Sequence, residues 1–190
     1  MTDFNLAGTS APWVVFVPKD SAEAHRQLAA LEEKGGRVHR FAASGLATEQ
    51  GVYQVFAETL QFPGYFGRNR DALVDCLDDL CGAVTGGQVG MAGVITGTDD
   101  RLLEAEHFPG FVSVLCQAAD RANSAVDLDG DPLDRPAIAE HFVFECAEFD
   151  RETQDKVARR VEQPGLIVTK GDGFVGAALD PHEWHSSPRP

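Results

Sequence analysis

Residues 13–17, Trp-Val-Val-Phe-Val, form an apolar run with no polar residue at any second position. A strand with one wet face alternates apolar and polar side chains, so an unbroken β-rich run belongs to a strand covered on both faces. Pro18 ends the run. The next stretch has the period of a helix. Ala24, Leu28 and Leu31 recur along 22–34 behind a capping Ser21, and Gly35–Gly36 stop it. This exchange of patterns continues. Residues 37–43 read as a strand, 48–60 and 70–81 as helices, 91–96 as a buried strand, 109–122 as a helix, 141–147 as a strand and 151–162 as a polar helix. Residues 166–170 and 174–179 flank Gly171-Asp172-Gly173 and read as a hairpin, and the last eleven residues read as a tail. Strands alternating with helices predict an α/β fold, with a mainly parallel sheet covered by helices.

The 190 residues, 43% of them hydrophobic, suffice for one domain with its own core. No apolar run approaches the ~18 residues of a spanning helix, and the first residues lack a basic-then-apolar leader. Neither a membrane nor a secretory route is expected. The four cysteines, Cys76, Cys81, Cys116 and Cys146, form no CxxC pair, which fits reduced thiols and a cytoplasmic location. Three motifs resemble ligand sites without meeting their requirements. Residues 171–176 match GxGxxG, but a β-like run follows where a dinucleotide site needs a helix N-terminus. Asp127, Asp129 and Asp131 alternate as in a calcium loop, but Gly130 falls between them and no Glu follows at the twelfth place, so an acidic surface turn is expected. His182 and His185 have no further ligand nearby. No metal, cofactor or catalytic constellation is expected, and the chain does not read as an enzyme.

Charge is unevenly spread. Residues 71–150 hold 17 acids and only 3 bases (Arg101, Arg121 and Arg135), whereas the flanking stretches balance, so the net charge of −14 lies in the middle of the chain. Such a field repels nucleic acid and attracts a basic partner. Its focus is the helix at 70–81. Leu73, Cys76, Leu77 and Leu80 make an apolar stripe, and Asn69 is a good N-cap. The opposite face holds Asp71, Asp75, Asp78 and Asp79. Asp71, Asp75 and Asp79 form an i, i+4, i+8 ladder of like charge, each pair costing a few tenths of a kcal/mol. Asp78 and Asp79 sit at the helix end the macrodipole makes unfavourable, and no Lys within the helix offsets them. Stability alone does not select this face. A row of carboxylates offered to a partner's cations accounts for it, as does a solvated face. The preceding loop favours a partner: Tyr65 and Phe66 stand beside these charges among open glycines, as interface anchors do. Phe66 is the one expected to pack back onto the core.

Residues 62–80, FPGYFGRNRDALVDCLDDL, resemble the signature of the barstar family, cytoplasmic inhibitors of small secreted ribonucleases. The matching positions are Pro63, Tyr65–Phe66, Gly67, Asn69, Asp71-Ala72-Leu73 and Asp75-Cys76-Leu77. The resemblance implies a core over 37–147, with 1–36 as a strand-and-helix addition to the same domain and 148–190 as a C-terminal helix, hairpin and tail. It also implies an immunity-type inhibitor, monomeric when free, whose partner is a basic ribonuclease, barnase-like or guanine-specific. Carried over by motif, Asp75 sits among the nuclease's catalytic arginines and histidine, Asp71 flanks it, Tyr65 covers the histidine, and Gly67 and Asn69 line the contact. Phe66, Val74, Asp78 and Asp79 complete the expected docking face. Val74 stands where a large aromatic is usual, Arg70 adds a positive charge beside the row, and the nearest candidate for a further contact on the later helix is Gln117. These departures leave room for a second reading, a module of the same fold that binds another basic protein.

Overall fold

The computed structural model describes residues 4–82, 90–126 and 131–184, with the side chains of 81, 82, 183 and 184 excepted. The expected acidic turn at Asp127 and Asp129, the Cys81 side chain, and His185 with the rest of the tail lie outside the described residues. The elements are β1 (Val14–Pro18), α1 (Ala22–Glu33), β2 (Arg37–Ala42), a 3-10 turn (Ala43–Leu46), α2 (Glu49–Leu60), α3 (Arg70–Gly82), β3 (Gly90–Thr98), α4 (Asp100–Leu103), α5 (Phe108–Ala122), β4 (Ala139–Cys146), α6 (Arg151–Val161), β5 (Leu166–Gly171), β6 (Phe174–Leu179) and α7 (Pro181–Trp184).

Six strands form one sheet in the order β2-β3-β4-β1-β6-β5. The first four are parallel, and β6 runs antiparallel to both β1 and β5. This is the mainly parallel, helix-covered α/β fold that the alternation of patterns predicts. β1, from the 1–36 segment, lies inside the sheet. Its Val14 is opposite Phe142 of β4 on one side and Ala177 of β6 on the other.

The unbroken apolar runs have their explanation in the way each strand divides its side chains. Val14 and Phe16, Met91 and Ile95, Phe142 and Phe144, and Val175 and Ala177 join the core under α2, α3, α5 and α6. The intervening Val15 and Val17, Ala92 and Val94, and Val143 join a second core under α1 and the N-terminal segment, with Phe4, Leu6, Ala24, Leu28 and Leu31. Period-2 alternation is present in space but invisible in sequence, because both faces are dry. Gly93 lies on the first face, where a Cβ would stand 2.6 Å from the Phe142 ring. The aromatic layer there includes Phe41 stacked on Phe56 at 4.3 Å and Phe16 on Phe144 at 4.6 Å.

Several boundaries differ from the sequence reading. β4 begins at Ala139 rather than 141 and buries Glu140 and His141, polar residues that mask the strand pattern. The 3-10 turn, α4 and α7 each span four residues, too few for a helical period to show. α7 lies in the stretch read as tail, and Asp180 Oδ1 accepts from its His182 N–H at 2.8 Å. The stretch with GxGxxG spacing is the β5–β6 hairpin, turned by Gly173 at φ +79°. His141 faces α1 and the N-terminal segment, with its ring nitrogens 3.1 Å from the Pro12 carbonyl and 2.8 Å from the Gly8 carbonyl. Burial lowers its pKa against the opposing pull of those two bonds.

The region after β4 is stitched to the rest by polar contacts. Arg160 of α6 donates to the carbonyls of Leu103 and Ala105, each at 2.8 Å. Lys156 donates to Asp100 and Glu104, each at 2.7 Å, and Gln163 donates to the Pro109 carbonyl at 2.7 Å.

Candidate functional site

The loop at 61–69 and helix α3 form one continuous face. Gln61 ends α2 in the left-handed region (φ 55°), and Phe62 N–H bonds back to the Ala57 carbonyl at 2.9 Å. A tight turn follows, closed by the Phe66 N–H on the Pro63 carbonyl at 2.9 Å. Tyr65 stands at its tip and is 78% exposed. Phe66 turns inward, edge-on to Phe62 at 5.1 Å and Tyr53 at 6.2 Å. The aromatic pair therefore divides its work, one ring anchoring the loop and the other facing outward. Gly67, Arg68 and Asn69 are exposed, and Arg68 holds φ +50°. Asn69 Oδ1 accepts from the Ala72 N–H at 2.8 Å, the capping bond expected of it.

α3 buries Leu73, Cys76 and Leu77 as its stripe requires. Val74 is buried with them, at 3% exposure, against the first core. Val74, expected on the docking face, is thus packed into the core, though it also lines the groove between α3 and α5. Residue 74 lies three before Leu77 and one after Leu73, so it widens the apolar stripe toward α5.

The four aspartates differ in their surroundings. Asp71, Asp75 and Asp79 are exposed, and Asp78 is half-buried. The side chains of Asp71 and Asp79 have no hydrogen-bond or ion-pair partner among the described residues. Asp75 accepts from Arg121 of α5 at 3.1 Å, a pair 69% and 40% exposed. Asp78 pairs with Arg135 at 2.7 Å, and only 20% of that Arg135 side chain is exposed. Arg135 also donates to the carbonyls of Arg121 and Ala122, so it closes the C-terminus of α5 while holding Asp78. Arg70 does not stand against the row. It donates to Glu49 of α2 at 3.0 Å, and Glu49 also accepts from the Tyr53 hydroxyl at 3.1 Å. The Arg70 bond, then that of Tyr53, holds the Glu49 carboxyl below its ordinary pKa. The Arg70 guanidinium lies over Gly110, its Nη1 2.8 Å from where a Cβ would stand, so a side chain there would push Arg70 aside.

Beside the row runs a groove of about 180 Å³ between α3 and α5, lined by Asp71, Val74, Ser113, Gln117 and Gln163. Gln117 thus lies next to Asp71. Arg121, Arg135 and Gln163 were missed as parts of this region. Arg121 and Arg135 carried a signal, being two of the three bases in the acidic stretch; Gln163 carried none.

Elsewhere the chemistry is structural. A crevice of about 490 Å³ at the carboxyl ends of β3 and β4 is lined by Asp99, Asp150 and Lys156 among others. Asp99 caps α4 and Asp150 caps α6, while Lys156 is held by Asp100 and Glu104. Among the described residues, no group of three or more His, Cys, Asp or Glu could hold a metal ion. Cys76, Cys116 and Cys146 are buried free thiols. Burial, then Asp79 and Asp75, raises the pKa of Cys76, and burial pushes Cys146 up to about 12, the reverse of nucleophile activation. No helix among the described residues is long and apolar enough to cross a membrane.

Comparison with known families gives a match to Barstar (barnase inhibitor) over residues 36–130. The chain belongs to the barstar family. The match to that family of inhibitors spans the exposed loop, all of α3 and the groove-facing side of α5. No curated protein and no solved structure matches the chain.

Proposed function

We propose that the protein is a cytoplasmic inhibitor of a small secreted basic ribonuclease, acting by docking the 61–69 loop and the outer face of α3 into the nuclease active site. One observation carries the reading: within the barstar-matched segment, Tyr65 and three aspartates spaced one helical turn apart project outward together. A ribonuclease site holds successive phosphates with cationic side chains, and a rigid row of carboxylates meets the same groups without presenting a bond to cleave. Asp71, Asp75 and Asp79 are the contacting carboxylates, Tyr65 the outer aromatic, and Gly67 and Asn69 the close backbone approach. Asp78 and Phe66 support this face from behind. No metal or cofactor enters, and the free protein is a monomer.

The experiment is titration into a panel of small guanine-specific ribonucleases, with RNA cleavage as the readout. Stoichiometric inhibition that weakens with salt is expected, and Asp75→Ala is expected to weaken it at least about ten-fold, a floor below the ~2–5 kcal/mol typical when one partner of a desolvated ion pair is removed. A folded protein that inhibits none of the panel would overturn the reading for this class. The second reading, a module for another basic protein, is favoured by one feature: the central Asp75 is engaged by Arg121 within the chain.

A further inference from the structure

Arg121 is the only cation on the exposed carboxylate row among the described residues, and it comes from the chain itself. Its guanidinium meets Asp75, the middle rung, one turn from Asp71 and one from Asp79. That is the position a partner's guanidinium would occupy if the row docks onto cationic side chains. The two internal pairs on α3 are built differently. Arg135 is fixed by two backbone carbonyls as well as by Asp78, is mostly buried and sits behind the row. The Arg121 side chain has Asp75 as its partner, lies in the last turn of α5, and both members of the pair are open to water. A pair this open is readily exchanged, because solvent reaches both ions and screens their attraction.

We propose that Arg121 is an internal stand-in for the partner's cation: it occupies Asp75 in the free protein, must be displaced when the face docks, and so sets how cationic a partner has to be. The proposal rests on the docking reading above. It makes Arg121 a specificity residue acting through Asp75. A partner presenting one isolated lysine only replaces an existing pair. A partner presenting several guanidinium groups gains Asp71 and Asp79 as well, and can carry Asp75 with them. Once displaced, Arg121 adds a repelling charge at the rim, which disfavours partners with a cation at that edge.

The test uses acetylated, amidated hexa-arginine as probe, with the intact protein at low salt, calorimetry for affinity and backbone amide shifts to locate binding on 70–80. Arg121→Gln is expected to bind the peptide about 2–5-fold more tightly than the unaltered protein, the range that loss of one exposed competing pair allows. Arg101→Gln, which changes net charge equally from the exposed surface of α4, is expected to bind within error of the unaltered protein. Asp75→Asn combined with Arg121→Gln is expected to lose the gain. Equal or weaker binding by Arg121→Gln would overturn the proposal. A gain that Arg101→Gln matches, or that survives without the Asp75 carboxylate, would overturn it too, since net charge then explains everything. The peptide readout does not depend on any nuclease: absence of ribonuclease inhibition by every variant would sink the docking reading alone. If a ribonuclease is inhibited, Arg121→Gln inhibits it more strongly through faster association.

Discussion

α3 and α6 are both charged helices packed on the same side of the sheet, and they use their charges in opposite ways. On α6, Lys156 bridges Asp100 and Glu104, Arg160 ties down two carbonyls, and Asp155 takes Lys170 from β5. Lys156 and Arg160 hold the chain's later segment to its middle, and Asp155 ties α6 to β5 within that segment. On α3, two of four carboxylates have no partner among the described residues and a third holds an exposed, exchangeable one. Charge density alone therefore does not distinguish a helix whose charges stay open from a structural one. The distinction is whether countercharges arrive from the rest of the fold.

Three tests sharpen or break this contrast. The largest effect is expected on α6. Arg160→Ala strands the carbonyls of Leu103 and Ala105 and should cost about 2–3 kcal/mol, given the usual worth of charged hydrogen bonds. Thermal unfolding should then fall by roughly 4–12 °C for a chain this long. A shift under about 2 °C would mean that the two Arg160 bonds contribute little and that α6 is held by its other contacts, among them Val157, Val161 and Lys156.

The second test concerns a charge that the fold keeps out. Burial lowers the pKa of His141, so as pH falls below its ordinary 6.5 the unfolded chain takes up that proton before the folded one does. Stability should decline with acidification from that point. His39, with its pKa lowered by burial and then by Arg37, adds a slope of the same sign. His141→Gln should reduce the slope in denaturant unfolding between pH 7 and 5, and an unchanged slope would show that the Gly8 and Pro12 carbonyls offset burial.

The smallest effect belongs to α3. Asp79→Asn removes one like-charge contact with Asp75 and an acid at the unfavourable helix end, and should stabilise by about 0.2–0.5 kcal/mol at low salt. A loss of stability would mean that Asp79 has a structural role after all, and the contrast between the two helices would narrow.

Much of this was legible in the sequence, and the rest was not, for a physical reason. The apolar stripe at Leu73, Cys76 and Leu77, the Asn69 cap and the doubly covered strand at 13–17 follow from local periodicity, which the chain carries wherever it folds. The inward turn of Phe66 followed from its place between a turn and a core. The partners of Asp75 and Asp78 lie 46 and 57 residues away and depend on α5 lying beside α3. No local pattern encodes that distance. The burial of Val74 was hidden for a related reason: the width of an apolar stripe is set by the neighbouring helix, not by the helix that bears it. Gln163 reaches the groove only because α6 packs against the start of α5.

The place of β1 between β4 and β6 has a consequence for how the protein comes into being. β1 pairs with strands that start at residues 139 and 174, so the middle of the sheet cannot close until the chain has been made through β6. The stretch 36–130 holds neither β1 nor β4. α3 is thus translated before the strands that complete the sheet it packs on. A nascent chain carries the carboxylates of α3 well before it has the strands that complete the sheet beneath them.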